Sequence, residues 1–166
     1  IVKSYDEELN RLTGEIQRMG NLALVELEAA ITAVIERDSD AAERIIASDK
    51  AIDELENEIS QDVIRLLALR QPIARDLREV LAALRISSDI ERIGDYAANV
   101  AKRALALNRV DQVRPVISMP RLGKIAGEII SEVLLAYRDR DADRACSPGR
   151  GTRNWMPCTP ASSASC

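Results

Sequence analysis

The sequence predicts an all-α protein: an antiparallel three-helix bundle followed by the first helix of an incomplete second bundle. Apolar residues recur at steps of three and four along several long segments, the mark of amphipathic helices. Aromatics make up only 2% of the chain and Phe is absent, which leaves Leu, Ile, Val and Ala to fill the core. That palette suits helix packing better than a β-sandwich. The connections between the long segments are short, so neighbouring helices run antiparallel.

The first helix is predicted from about Ser4 to Arg37, with Leu9, Leu12, Ile16, Met19, Ala23, Leu27, Ala30 and Val34 on one face. Gly14 and Gly20 weaken it locally. Asp38-Ser39-Asp40 reads as a stop and a new start, with Asp40 as the N-cap and Glu43 closing a capping box. The second helix runs to about Arg70 through Ala42, Ile45, Ile52, Leu55, Ile59, Val63 and Leu66, and Gln71-Pro72 ends it. The third spans about Ala74 to Asn108 and opens with Leu77, Val80, Leu81 and Leu84. Residues 110–120 read as a linker broken by Pro115 and Pro120, with Val113, Val116 and Ile117 able to pack on the bundle. Pro120 suits the first turn of a fourth helix, which continues through Leu122, Ile125, Ile129, Val133 and Ala136.

An internal repeat links two of these helices. Arg37-Asp38-Ser39-Asp40-Ala41-Ala42 matches Arg140-Asp141-Ala142-Asp143-Arg144-Ala145 at a shift of 103 residues. Both copies fall where a long amphipathic helix ends, so the fourth helix reads as a duplicate of the first. The chain therefore divides into a first bundle (1–109), a linker (110–120), the first helix of a second repeat (121–145) and a tail (146–166).

The tail breaks the pattern. All three cysteines, the only Trp and half of the prolines fall there, among many Ser, Thr and Gly. Such a composition cannot bury a core and is expected to be disordered. A reading-frame shift is the preferred account. Asn154-Trp155-Met156-Pro157 must be encoded AAY-TGG-ATG-CCN. Read two bases on, the same bases give Glu, Lys or Gln, then Leu-Asp-Ala, then Leu, Met or Val, then Tyr or His. That string fits the helix the repeat calls for. The alternative is a genuine polar tail. Its cysteines lack the short spacing of a zinc site.

Composition also excludes functions. With no His, Ser-His-Asp and Cys-His catalysis have no base. No Gly-rich phosphate loop or Walker-type motif is present. The formal charge is −4 and every acid lies before the tail; an acidic body repels nucleic-acid phosphates and suits a protein or cation partner. No apolar run reaches the roughly 20 residues of a membrane span. The opening Ile1-Val2-Lys3-Ser4 does not read as a signal peptide, and the lack of an initial Met suggests that a few residues precede it. Cytoplasmic residence is expected.

The chemistry-bearing residues are carboxylates. Glu91 and Asp95 are four apart on the third helix, on the line extended from Leu77, Val80 and Leu84, with Ile86, Ile90, Ile93 and Ala97 opposite. The helix is thus expected to change its apolar face midway. Asn99 lies one turn on. The second helix offers Asp49, Asp53 and Glu56 at the edge of its stripe. Like charges at i,i+4 repel, and a hard cation bracketed by carboxylates from successive turns would offset them. Gly94, which costs about 1 kcal/mol of helix stability relative to Ala, suggests a close approach by a ligand or a neighbouring helix. The competing reading is a solvated acidic face with Arg85, Arg92 and Lys102 as ion-pair partners. Acid–base catalysis by two carboxylates, with no nucleophile beside a base, is disfavoured.

Several features together resemble the PhoU family. Glu91-Arg92-Ile93-Gly94-Asp95-Tyr96-Ala97 is similar to its E-x-x-x-D signature, with Leu77-Arg78-Glu79-Val80 before it and Asn99-Val100-Ala101-Lys102 after. Ser4-Tyr5-Asp6-Glu7-Glu8-Leu9 and Asp53-Glu54-Leu55-Glu56 fit as well, and a repeat near 103 residues suits a family built from two tandem three-helix bundles. The resemblance covers about residues 1–145. It implies a non-enzymatic negative regulator of phosphate uptake and of the phosphate-starvation response. Such a regulator couples the phosphate ABC transporter ATPase to a sensor histidine kinase and is commonly a homodimer. It also implies an iron, zinc or other metal cluster on the acidic motifs: Glu91 and Asp95 first, with Asp49, Asp53 and Glu56 added from the facing helix; Asn99 joins them as a candidate by its spacing alone. The second acidic motif is absent, and the fourth helix is expected to pack on the first bundle or to drive oligomerisation or aggregation. The rival reading is a helical adaptor or oligomerisation module without metal.

Overall fold

The computed structural model describes residues 2–70, 74–110 and 118–146. The stop at Gln71-Pro72, most of the linker and nearly all of the tail lie outside the described residues. Helices α1 (Val2–Glu36), α2 (Ser39–Arg70) and α3 (Ala74–Asn108) form the bundle, and α4 (Met119–Asp139) leads into the single turn α5 (Ala142–Ala145). Pro120 sits in the first turn of α4, where its missing N–H costs nothing.

Each bundle helix turns a seam inward at alternating steps of three and four. On α1 it runs Leu9, Leu12, Ile16, Met19, Ala23, Glu26, Ala30, Ala33, all buried. On α3 it runs Val80, Ala83, Ser87, Ile90, Gly94, Ala97, Ala101, Ala104, again all buried. On α2 the same step gives Ala42, Ile45, Asp49, Ile52, Glu56, Ile59, Val63, Leu66, with the two acids half-buried and the rest buried. A repeat of 3.5 residues is the pattern that keeps a helix facing its partner over many turns. It changes two sequence expectations. On α1 the seam takes Glu26 and Ala33, while Leu27 and Val34 flank it half-buried. On α3 the apolar face does not switch midway. One seam runs throughout, Leu77 is exposed, and Glu91 and Asp95 lie beside the seam.

The α1–α2 corner differs in detail from expectation. Arg37 adopts the left-handed conformation (φ 57°), the usual way to end a helix. The N-cap is Asp38, whose Oδ1 accepts the backbone N–H of Ala41 at 2.9 Å, in place of the Asp40–Glu43 box. The corner after α4 repeats it. Arg140 has φ 55°, and Asp141 Oδ1 accepts the N–H of Arg144 at 2.9 Å. The N–H of Asp38 bonds the carbonyl of Ala33 as that of Asp141 bonds Ala136. The repeat read at a shift of 103 residues is thus a repeated turn. Arg37 also donates to the carbonyls of Leu107, Asn108 and Val110, closing the C-terminal end of α3.

Helix α4 packs on α1 through glycines. A Cβ on Gly20 would stand 2.6 Å from both methyls of Leu134, and one on Gly123 would collide with Ile31. Gln17 Nε2 donates to the carbonyl of Leu134 at 2.7 Å, and Arg140 pairs with Glu79 at 3.1 Å. Leu122 and Val133 of α4 remain exposed.

Two glycines of α1 therefore make opposite predictions. Gly14 has nothing within 4 Å of its Cβ position, so Gly14→Ala should stabilise the fold by about 0.5–1 kcal/mol through helix propensity. Gly20→Ala must push the buried Leu134 side chain out of its place on α1. It should speed amide exchange in α4 at least severalfold while leaving Ile16, Ile59 and Val80 protected. Urea denaturation and hydrogen exchange read both effects, and equal behaviour of the two variants would contradict the packing described.

Candidate functional site

The seam positions set the site. At one level of the bundle the apolar core divides. Leu9 to Ala23, with Ile52 to Leu66 and Val80 to Ile90, make one cluster; Ala30, Ala33, Ala42, Ile45, Ala97, Ala101 and Ala104 make the other. Between them stand Glu26 on α1, Ser48 and Asp49 on α2, and Gly94 on α3. A Cβ on Gly94 would lie 2.7 Å from Ile52 Cδ1 and 3.5 Å from Asp49 Oδ1. Gly94 thus lets α2 press against α3 here, the close approach its position in the sequence suggested.

That approach gathers the acids. Burial pushes the Glu91 carboxyl above its ordinary range, and the charges of Asp95, Asp53, Glu56 and Asp49 push it further. Asp49 is raised likewise, first by burial and then by Asp53 and Asp95, with Lys102 opposing. Five of the six residues singled out from sequence therefore act on one another across the α2–α3 seam. Asp53 and Asp95 are exposed, while Asp49, Glu56 and Glu91 are half-buried. Asn99 is exposed one turn beyond Asp95. Arg92, one expected neutralising partner, reaches Asp89 at 3.9 Å. The acids share a wall and not a finished coordination sphere: among the described residues no three converge as ligands of one ion.

Glu26 was missed from sequence. It is 4% exposed, and neither carboxyl oxygen has a hydrogen-bond partner. Burial raises its pKa first; the nearby Ser48 hydroxyl opposes this, and Asp49 and Asp53 add to it. The Ser48 hydroxyl has one proton, and it donates to the carbonyl of Ile45 at 3.0 Å. Glu15 also buries an oxygen without a partner, but its other oxygen accepts from Arg11 at 2.9 Å. The signal for Glu26 was present in the spacing: it stands three after Ala23 and four before Ala30. The apolar Leu27 beside it drew the stripe away.

A carboxylate-lined seam between two long helices, backed by a buried acid from a third, defines an all-α bundle built around negative charge. Comparison with known proteins gives the particular family. The PhoU domain model matches residues 16–104, and the chain belongs to the PhoU domain family. It is 57% identical over 141 residues to a phosphate-specific transport system accessory protein PhoU homolog of Xylella fastidiosa, across 85% of this chain and 59% of that protein. A homolog of the same description from Caulobacter vibrioides is 44% identical, across 87% of this chain and 63% of that protein. The chain thus spans about three fifths of the length of these curated relatives. The crystal structure of the phosphate transport system regulatory protein PhoU from Streptococcus pneumoniae superposes with a TM-score of 0.82 at 32% identity, across 88% of this chain and 69% of that one. PhoU from Pseudomonas aeruginosa gives 0.82 at 33% identity, across 86% and 69%.

The buried acid makes a pH prediction for the metal-free protein. The folded state holds the Glu26 proton more tightly than the unfolded chain does. Its contribution to stability is therefore full below the ordinary value of 4.5 and is lost as pH rises through the raised folded value. Glu26→Gln removes that loss. It should leave stability near wild type at pH 4 and raise it by about 1–3 kcal/mol at pH 8, read by urea denaturation across pH. A variant that is less stable than wild type at pH 8 would show that Glu26 has a partner.

Proposed function

We propose that this chain is a non-catalytic regulator of phosphate uptake that acts in the cytoplasm and carries a cation on its α2–α3 acidic seam. The family membership carries the regulatory reading, since relatives covering most of this chain are named accessory or regulatory proteins of phosphate transport. The chain spans only part of those relatives, so their role comes to it as this proposal. Partners of this reading are the phosphate ABC transporter ATPase and a sensor histidine kinase, with a homodimer as the regulatory unit. No described helix is long and apolar enough to cross a membrane, so the reading places the chain against the transporter and not within the bilayer.

The donor set supports a hard or borderline cation, either a single divalent ion or an iron or zinc cluster. Asp49, Asp53, Glu56, Glu91 and Asp95 offer only carboxylate oxygens, the ligands such ions accept. Asn99 is placed to serve only an ion that extends a turn beyond Asp95. A bound cation offsets the burial and, after it, the mutual repulsion that raise Asp49 and Glu91, and the seam's charge then depends on its occupancy. A partner surface that reads this face would read that charge.

Two measurements test the reading. Chelator-stripped protein titrated with Mn²⁺, Fe²⁺ or Zn²⁺ should melt higher. The gain is about 2.7 kcal/mol at a hundredfold excess over Kd, and it should be lost in the double variant Glu91→Gln, Asp95→Asn. Unchanged melting with every metal would leave the plain helical adaptor as the better account. The chain, alone and extended to its relatives' length, should co-purify with the transporter ATPase or the sensor kinase. Failure of both forms with both partners would defeat the regulatory reading.

A further inference from the structure

Helix α3 carries a second feature on the side away from its seam. Arg78, Arg85, Arg92 and Arg103 are all exposed. Steps of seven, seven and eleven residues keep them within a sector of about 40° and spread them over about 37 Å of helix. Tyr96 lies in the same sector. The sequence leaves two of these arginines without a neighbour of opposite charge: Arg78 and Arg103 have no acid three or four residues away on either side. Among the described residues Arg78, Arg85 and Arg103 form no ion pair, and Arg92 reaches only Asp89, at 3.9 Å with both side chains 62% exposed. A pair of that kind contributes little. The other long helices treat exposed bases differently. Arg11 pairs with Glu15 on α1, Lys50 with Glu54 on α2 and Lys124 with Glu128 on α4, each across one turn. Apolar groups stand among the arginines: Tyr96 is 60% exposed, and Leu81 and Leu107 are exposed as well. Arginine and tyrosine are the side chains that interface centres gather, and Lys, Glu and Asp the ones they shed.

We propose that this face of α3 is a protein-docking surface whose partner is an acidic helix laid along the arginines. An acid at every seventh residue of such a helix repeats at about 10.5 Å, the spacing of Arg78, Arg85 and Arg92. Each guanidinium offers a carboxylate a two-pronged hydrogen bond. Apolar side chains of the partner would rest on Tyr96 and Leu81 between the charged pairs. The surroundings of the line select a narrow partner. The chain as a whole carries a formal charge of −4, and Asp95 and Asp53 stand exposed on the adjoining side, toward α2. A bilayer or a nucleic-acid duplex would meet those acids too. A single helix about 10 Å across can lie on the arginines and clear them. Docking here needs no cation on the acidic seam, and it does not depend on which phosphate-transport protein binds.

Fluorescence anisotropy of the whole chain with two labelled synthetic helices tests this. Both are Ala-rich, about 28 residues long and equal in composition and net charge. One carries Glu at every seventh position with Leu between on the same face; the other has the same residues scattered around the helix. The one-faced helix should bind at least tenfold more tightly than the scattered one, and its Kd should weaken as salt rises. The double variant Arg85→Glu, Arg92→Glu should lose at least tenfold in affinity with little change in melting, since both side chains are exposed. Arg85→Gln, Arg92→Gln should show the same loss in lesser degree. Arg18→Glu, Arg44→Glu makes the same charge change at exposed positions of α1 and α2 and should leave Kd within twofold. Equal affinity for the two helices, no binding of either, or equal loss in the α3 variant and the α1–α2 variant overturns the proposal. Phosphatidylglycerol vesicles or single-stranded RNA bound in place of the one-faced helix, and lost in Arg85→Glu, Arg92→Glu, would overturn it in favour of a membrane or a nucleic acid.

Discussion

The bundle depends on one constraint, the alternation of three and four that each helix keeps along its seam. An undistorted helix drifts by about 20° per heptad against that step. A seam read at 3.6 residues per turn would rotate away from its partners within a few turns. Held at 3.5, the three seams stay opposed from Leu9 to Ala33, from Ala42 to Leu66 and from Val80 to Ala104. Everything else follows from which residues occupy those places. Where they are Ile, Met, Leu and Val, the core is thick. Where they are alanines, the helices close up. Where they are Glu26, Asp49 and Gly94, the core admits charge.

Much of this was legible in the sequence. The α2 stripe needed no correction, because its apolar residues stand unambiguously on one face and Asp49 leaves an evident gap. Helix ends were readable from Asp38, Pro120 and the repeated Arg-Asp pairs, although the cap moved by two residues because Asp38, Ser39 and Asp40 all qualify as caps. The α1 stripe went partly wrong for a physical reason. Leu27 and Val34 are more apolar than Glu26 and Ala33, and residue polarity cannot distinguish a 3.5 from a 3.6 period over so few turns. The same ambiguity produced an apparent switch of face on α3. The i,i+4 acids were plain from spacing alone. Their meeting across two helices depended on the register of α2 against α3, which Gly94 and Ile52 set and which no local pattern encodes.

The site is also where the sequence works against its own fold. This level accepts a glycine within a helix, a buried acid without a donor and acids that raise one another's pKa. Surface pairs elsewhere, such as Arg11 with Asp62 at 3.0 Å, contribute little and cannot compensate. Conflicts of this kind are expected where a protein gives up stability for a binding role. The helix that follows the bundle crosses this level on another side of α1, where Gly127 comes against Leu24 and Glu28. It docks along the other side of α1, on Gly20 and Ile31, and leaves the acidic seam uncovered by any described element.

The central claim is that three opposed seams bring acids from separate helices to one place. Anomalous diffraction from crystals grown with Mn²⁺ addresses it directly. The account predicts a peak between α2 and α3 at the level of Asp49 and Asp95. A peak at some other carboxylate group with this seam empty, or side chains of Asp49 and Asp95 turned to opposite faces, would contradict it.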